Sequence, residues 1–414
     1  MTPVRFVHTA DLHLEAPFAG VDASDPIVRA SLVASTFEAF ERVVDLCVEE
    51  DVDFLLVAGD VYDNARNFNA QLQFQRQAAR LDQAGVPVFV VEGNHDPESA
   101  RPRDLRLPGN VRYFSTREVE RVPVERDGEV VAAIYGRGYG KAAEARNLAK
   151  GFQRETGDQV AIGLLHTNVG GREGHEDYAP ASMDDLRAGN MDYWALGHIH
   201  KPEVLSASPA IVYAGCPQGR SPKEDGPRGC YLVELTPGHA EIEFRPTSSV
   251  AWHRRSIDAS GLETLDDVRD ALRAACDEVR SSSGDAPAIV RLELTGRSDA
   301  HAALVRATNL ADLVRDLRDE QLADSPWVWI DRVADRTSAV LDVEALRGAQ
   351  DFSGDLVRLA DELAEEPDAL AALMSELIAP IESSLGAVDL EMTPLQLLER
   401  ARDVCLDRLE GEDR

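Results

Sequence analysis

Five apolar runs in the first half of this chain each end on side chains able to hold a metal or move a proton. "FVHTADLH" ends in Asp11 and His13, "FLLVAGD" in Asp60, "VFVVEGNHD" in Asn94, His95 and Asp96, "AIGLLH" in His166, and "YWALGHIH" in His198 and His200. A lone histidine at a strand end is usually structural; five coincident ends are not. In an open α/β sheet such ends meet at the carboxyl edge, where ligands bind. His198 and His200 share a strand face, because residues i and i+2 point the same way.

The donors are nitrogen and oxygen with no thiolate, which suits manganese, iron or zinc rather than copper(I). Seven remain when His95 and Asp96 are set aside, more than one ion needs. Two ions sharing a carboxylate are the economical arrangement. Held about 3.5–4 Å apart, two metals clamp a phosphoryl group, generate hydroxide near neutral pH and stabilise the entering and leaving oxygens. The chemistry expected is phosphoester hydrolysis.

The elements that must carry these groups can be read from the pattern. "RFVHTA", "DFLLVAG", "VPVFVVEGN", "VVAAIYG", "VAIGLLHTN", "DYWALGHIH", "AIVYAG" and "GCYLVEL" are buried-looking strands. Between the first two lies a helix with Asp25 as N-cap and Pro26 at its first position. Another, over "AQLQFQRQAARLDQAG", is closed by Gly85. This order predicts a layered α/β domain over residues 1–250, with a parallel start and an antiparallel finish. Residues 251–345 read as a small β-α-β-α-β unit without catalytic-looking residues. Residues 346–414 read as acidic and helical, and from 351 onward 17 Asp and Glu stand against 5 Arg. Leu356, Leu359 and Leu363, then Leu370, Leu373, Met374 and Leu377, then Leu395, Leu398, Cys405 and Leu409 mark three amphipathic segments there. The last is capped by Thr393 before Pro394. Such segments either pack on their own domain or offer an apolar face to a partner.

At 414 residues the chain is long enough for two or three domains. It has no apolar run long enough to span a membrane, and its start does not read as a signal peptide, so a soluble, cytoplasmic protein is expected. Five scattered cysteines without a CxxC pair argue against a disulfide framework or thiolate zinc site, and read as small core residues. The formal net charge is -31, and only Lys141, Lys150, Lys201 and Lys223 among 43 basic residues are lysine. So acidic a surface repels phosphates in dilute buffer. It suits a salt-rich, halophilic interior, where screening lengths fall to about 3 Å at molar ionic strength. The chain carries no GxxxxGK[ST] phosphate loop, so any ATP use must come from another chain.

The ordered set D-x-H, G-D, G-N-H-D, H and G-H-x-H resembles the calcineurin-like metallophosphoesterases. "HTADLHL", "GDVYD", "GNHDP" and "ALGHIHKP" narrow the resemblance to the SbcD-type DNA repair nucleases; "ADLHLEAPF" and "HTNVGGREGHEDYAP" point to their YhaO-like branch. The resemblance implies a four-layer sandwich of two mixed sheets flanked by helices, with a small α/β capping domain and a helical C-terminal tail. It puts Asp11, His13 and His200 on a first divalent metal, Asn94, His166 and His198 on a second, and Asp60 between them as bridge. His95 is then placed to touch the scissile phosphate or protonate the leaving oxygen. Asp96 either orients that imidazole or caps the turn before Pro97. His8 reads as a core histidine. His175 and Arg172, in a polar loop after His166, are candidates for substrate contact. Asp63 stands where the archaeal and eukaryotic relatives carry a second histidine.

The family further implies manganese-dependent cleavage of DNA, exonucleolytic on duplex ends and endonucleolytic on single strands. It also implies a homodimer working with an SMC-like, SbcC-type coiled-coil ATPase docked by the C-terminal helices. The alternative activity is hydrolysis of small-molecule or protein phosphoesters by the same two-metal core.

Overall fold

The computed structural model describes residues 3–18, 20–100, 106–172, 178–306, 308–340, 343–385 and 392–411. The chain falls into two compact units. One takes Met1–His253 with Val279–Ile289 and Ser325–Asp331; the other takes Arg254–Glu278, Val290–Asp324 and Arg332–Arg414.

The larger unit begins with β1 (Val4–Thr9), α1 (Pro26–Glu49), β2 (Phe54–Ala58), α2 (Phe68–Gln83), β3 (Val88–Val91) and β4 (Val111–Tyr113). It continues through β5 (Glu120–Arg126), β6 (Glu129–Arg137), β7 (Ala161–His166), α3 (Met183–Ala188), β8 (Tyr193–Gly197), β9 (Glu203–Ala207) and β10 (Ala210–Tyr213). It closes on β11 (Gly229–Thr236) and β12 (His239–Pro246). Two six-stranded sheets result, in the orders β12-β11-β1-β2-β3-β4 and β5-β6-β7-β8-β10-β9.

Both sheets are mixed. In the first, β1 to β4 run parallel and β11 turns antiparallel beside β1. In the second, β6, β7, β8 and β10 are parallel, with β5 and β9 antiparallel at the edges. The antiparallel finish expected of the later strands therefore holds only at the edges and in the β11–β12 hairpin. Segments between β6, β7 and β8, including α3, are long enough to return the chain to the same end of the sheet, as parallel pairing requires. β4, β5, β9 and β12 form besides the eight expected strands, and their charged or half-exposed residues give only weak apolar runs in the sequence.

The strands that carry the candidate site are buried on both faces. Phe6 packs into the core between the sheets with Phe54, Phe89, Ile162 and Tyr193. Its neighbour Val7 faces the other way, onto Phe40, Val44, Phe74 and Leu81 of α1 and α2. On the far side, Leu186 of α3 packs with Trp194 and Leu165. The layers are thus helices, sheet, sheet, helix. The helix ends follow their capping residues: Asp25 Oδ1 accepts from the Ile27 and Val28 amides at 2.7 and 3.2 Å. Gly85, at φ +75°, stands just past the end of α2.

Beyond β12 lie β13 (Ala251–Asp258), α4 (Leu265–Ser283), β14 (Ala288–Arg297), α5 (His301–Leu304), α6 (Asn309–Ala323) and β15 (Val328–Ser338). The strands form a three-stranded sheet, β13-β14-β15. Four helices follow: α7 (Val343–Gly348), α8 (Phe352–Glu365), α9 (Pro367–Leu385) and α10 (Pro394–Gly411). They belong to the smaller unit, where Asp403 of α10 accepts from Arg297 Nη2 at 2.7 Å. Val357, Leu370 and Leu406 are buried, whereas Phe352, Leu359 and Leu377 stay exposed. Four cysteines are buried as expected; Cys405 is exposed.

Candidate metal centre

The carboxyl ends of β1, β2, β3, β7 and β8 bring the expected ligands together across the two sheets. Close backbone approach makes this possible. A Cβ on Gly197 would sit 1.9 Å from the Ala58 carbonyl oxygen, and one on Gly59 would sit 2.3 Å from His166 Nδ1. Only glycine allows the two sheets to meet there. Asp11, His13, Asp60 and His198 all have positive φ, at 50°, 42°, 50° and 99°. Such backbone costs of order 1–3 kcal/mol per residue and collects at functional sites.

Hydrogen bonds fix the protons on the imidazoles. His166 Nδ1 lies 2.9 Å from the Ala58 carbonyl, which can only accept, so Nδ1 carries the proton and Nε2 offers a lone pair. His200 Nδ1 lies 2.5 Å from Glu224 Oε1, which leaves the lone pair on His200 Nε2 in the same way. His13 Nδ1 faces Asp63 Oδ1 at 3.5 Å. The Nε2 atoms then face other acceptors: His200 Nε2 is 3.3 Å from His13 Nε2, and His166 Nε2 is 3.1 Å from Asn94 Oδ1. Asp60 Oδ2 lies between them, 3.7 Å from His13 Nε2 and 3.5 Å from His166 Nε2. Asp11 Oδ1 is 3.9 Å from His200 Nε2 and also accepts the His198 amide at 3.2 Å. The His198 ring lies edge-on to His166, centroids 5.2 Å apart.

Acceptors crowded against acceptors, with carboxylates between, are a site for cations. Burial, and then the Asp60 charge, push the Asp11 carboxyl well above its usual range. Burial holds His13 and His166 below theirs, as neutral imidazoles ready to ligate. A divalent ion would reverse the penalty on the Asp11 carboxylate. Asp11, His13 and His200, and likewise Asp11, Asp60 and His166, each bring one ligand atom within 4.8 Å of the others.

Other site expectations fare differently. His95 is 42 % exposed in its side chain and sits edge-on to His13 at 4.7 Å. Its Nδ1 faces the Asp63 carbonyl oxygen at 3.3 Å. Asp96 does not orient it: Asp96 Oδ2 accepts the Val61 amide at 2.8 Å and Oδ1 accepts the Gly93 amide at 2.9 Å. It is a turn cap, and burial together with Asp60 pushes it up to about 7. Arg172 is engaged by both oxygens of Glu203, at 2.6 and 3.1 Å, which gives it a structural partner rather than an open fork. His175 lies outside the described residues. His8 is fully buried and meets the Tyr193 hydroxyl at 3.0 Å, a core residue as expected.

Two residues that the motifs did not single out join the site through the segment between β10 and β11. Glu224 holds His200. Arg220 places Nη1 3.5 Å from Asp63 Oδ1. The arginine-bearing loop "GRSPKEDGPR" reads from its sequence as a candidate for phosphate-backbone contact, but its sequence does not single out Arg220 or Glu224; the return of this segment over the carboxyl edge does.

A fold of two mixed sheets with this donor set at their shared carboxyl edge defines a metal-dependent phosphoester hydrolase. The calcineurin-like phosphoesterase family matches residues 4–202, and the middle domain of the YhaO metallophosphoesterases matches residues 252–338. The chain is 35 % identical over 339 residues to an uncharacterized metallophosphoesterase, YhaO, of Bacillus subtilis, covering 81 % of this chain and 83 % of that one. It is 28 % identical over 411 residues to the DNA double-strand break repair protein Mre11 of Haloferax volcanii, covering 93 % and 88 %. Against the SbcD component of the SbcCD nuclease of Bacillus subtilis it is 23 % identical over 273 residues, covering 57 % and 67 %. The chain belongs to the YhaO-like branch of the calcineurin-like metallophosphoesterases.

Proposed function

We propose that this protein is a binuclear-metal nuclease that hydrolyses DNA phosphodiesters, exonucleolytically at duplex ends and endonucleolytically in single strands. One observation carries the reading: Asp60 Oδ2 stands between two groups of acceptors, His13 with His200 on one side and His166 with Asn94 on the other. Asp11, His13 and His200 would hold one ion, Asn94, His166 and His198 the other, and Asp60 both. Bound there, two divalent ions, manganese by preference, supply Lewis acidity to a phosphoryl oxygen and activate water near neutral pH.

The protein's own groups do the rest. Glu224 and the Ala58 carbonyl keep the His200 and His166 tautomers fixed. His95, the most exposed imidazole beside the ligands, is placed to meet the phosphate or give a proton to the leaving oxygen. DNA as substrate and an SbcC-type ATPase partner are supported by the likeness to a double-strand break repair protein and to a subunit of the SbcCD nuclease, and a homodimer is proposed with them from the family resemblance alone. The exposed apolar positions of α8 and α9 suit partner docking.

A second reading has its own support. A net charge of -31 opposes a polyanion such as DNA in dilute buffer far more than it opposes a small-molecule or protein phosphoester. The two separate when end-labelled duplex DNA and an aryl phosphodiester are compared in manganese at high salt. Cleavage of the aryl ester alone would sink the nuclease reading.

A further inference from the structure

The segment 216–228 between β10 and β11 is clamped onto one proposed ligand. The Cys216 amide and Arg228 Nη1 both donate to the His200 carbonyl, at 3.0 and 2.6 Å, while Glu224 takes His200 Nδ1. The other Glu224 oxygen accepts the Arg220 amide at 2.7 Å. One carboxylate therefore sets the position of both a metal ligand and the Arg220 backbone.

Arg220 reaches the side of the site held by His13 and His95. Its Nη1 is 3.5 Å from Asp63 Oδ1, the same oxygen that lies 3.5 Å from His13 Nδ1 and 3.6 Å from His95 Nδ1. The side chain is only 14 % exposed, and its Nε is buried without a hydrogen-bond partner. A guanidinium offers five N–H donors. Ordinary arginine–carboxylate pairs close to about 2.7–2.9 Å, and Arg172 with Glu203 does so at 2.6 Å in this chain. Among the described residues the Arg220 side chain makes one such contact, at the outer limit, instead. A charge so buried and so little bonded is costly unless a further anion meets it.

We propose that Arg220 contacts the substrate directly, its fork receiving two non-bridging oxygens of the scissile phosphate, with Asp63 and the Glu224-anchored backbone holding it in place. The proposal rests on the phosphoester-hydrolase reading. Arginine suits the task because its planar fork matches two oxygens at once, which lysine cannot do.

The test uses the full-length, manganese-loaded protein with bis(4-nitrophenyl) phosphate as substrate and inorganic phosphate as competitor, alongside calorimetric phosphate binding. Arg220→Met is expected to weaken phosphate at least tenfold and to lower kcat/KM by about 10²–10³-fold, as loss of a preorganised donor does. Bound manganese stays at the wild-type ratio. Arg220→Lys, which keeps charge but not fork and so guards against a folding defect, falls between. In Asp63→Asn/Arg220→Met, where no unpaired carboxylate remains to repel phosphate, the weakness persists. Wild-type phosphate affinity in both single variants, or its recovery in the double variant, overturns the proposal alone. A wild-type protein that neither hydrolyses the ester nor binds phosphate overturns the underlying reading as well.

Discussion

Glu224 Oε1 meets His200 Nδ1 at 2.5 Å, so a residue outside every recognisable motif decides which nitrogen of a proposed metal ligand keeps its lone pair. Burial alone would raise that carboxyl, yet the His200 bond and Arg220 outweigh it and hold it down to about 2. It is therefore ionised at any pH where the protein works. Carboxylates in this relation to a ligating histidine are worth about 10–100-fold in metal affinity. Glu224→Ala should weaken one manganese site by that factor and leave the other near wild type, as read by calorimetric titration. Equal weakening of both sites would count against the arrangement.

His198 and His200 share a strand end yet should serve different ions. His200 Nε2 faces His13, whereas the His198 ring lies against His166. His200→Ala should lose the ion held with Asp11 and His13, and His198→Ala the ion held with Asn94 and His166. Asp60→Asn should weaken both. Metal content by plasma emission, combined with crystallography of each variant, reads the result directly.

His95 differs from the proposed ligands in its exposure beside the site, while its Nδ1 meets the Asp63 carbonyl oxygen much as His166 Nδ1 meets that of Ala58 and leaves Nε2 to face outward chemistry. His95→Asn should keep both ions and lose about 10²–10⁴-fold in kcat, the usual worth of a positioned proton donor. Full rate with full metal content would remove His95 from the chemistry.

The proposed ligands were legible in the sequence because each closes an apolar run, and parallel strands deliver their carboxyl ends to one edge. What stayed hidden depends on chain crossings. Asp96 sits next to His95, yet the tight turn after β3 points its carboxylate back at the Gly93 and Val61 amides. Arg172 looked open for substrate because Glu203, its partner, comes from β9, an element without a clear apolar pattern. Arg220 and Glu224 sit in "GRSPKEDGPR", which reads equally as a phosphate-contacting or a solvated loop, and which of its residues face the site is decided only where β10 and β11 fix both its ends.

His8 gives the fold a defined acid response. Burial drives it from 6.5 to about 3, so the unfolded chain takes a proton that the folded chain refuses. Stability from this group is complete above 6.5, falls as pH drops below 6.5, and levels off only near 3. At about 1.4 kcal/mol per unit, moving from pH 8 to pH 5 should cost about 2 kcal/mol. His8→Gln, which still offers the Tyr193 hydroxyl a partner, should lose that component. Urea unfolding of both proteins at the two pH values checks it: the difference between their pH dependences is the His8 contribution, and equal dependences would refute it.

The charge balance makes a separate claim about salt. A net charge of -31 repels itself most strongly in the compact state. Many favourable pairs, such as Arg273 with Glu320 and Arg347 with Asp361, are partly exposed and weak. Screening removes both effects, but with 74 acidic residues against 43 basic ones the repulsion dominates. Raising potassium chloride from about 0.05 to 1 M, where the screening length falls to about 3 Å, should therefore raise the melting temperature by several degrees. Replacing a cluster of exposed acids with glutamine should raise the low-salt melting temperature and flatten the response. A melting temperature that falls with salt would mean that the ion pairs outweigh the net repulsion.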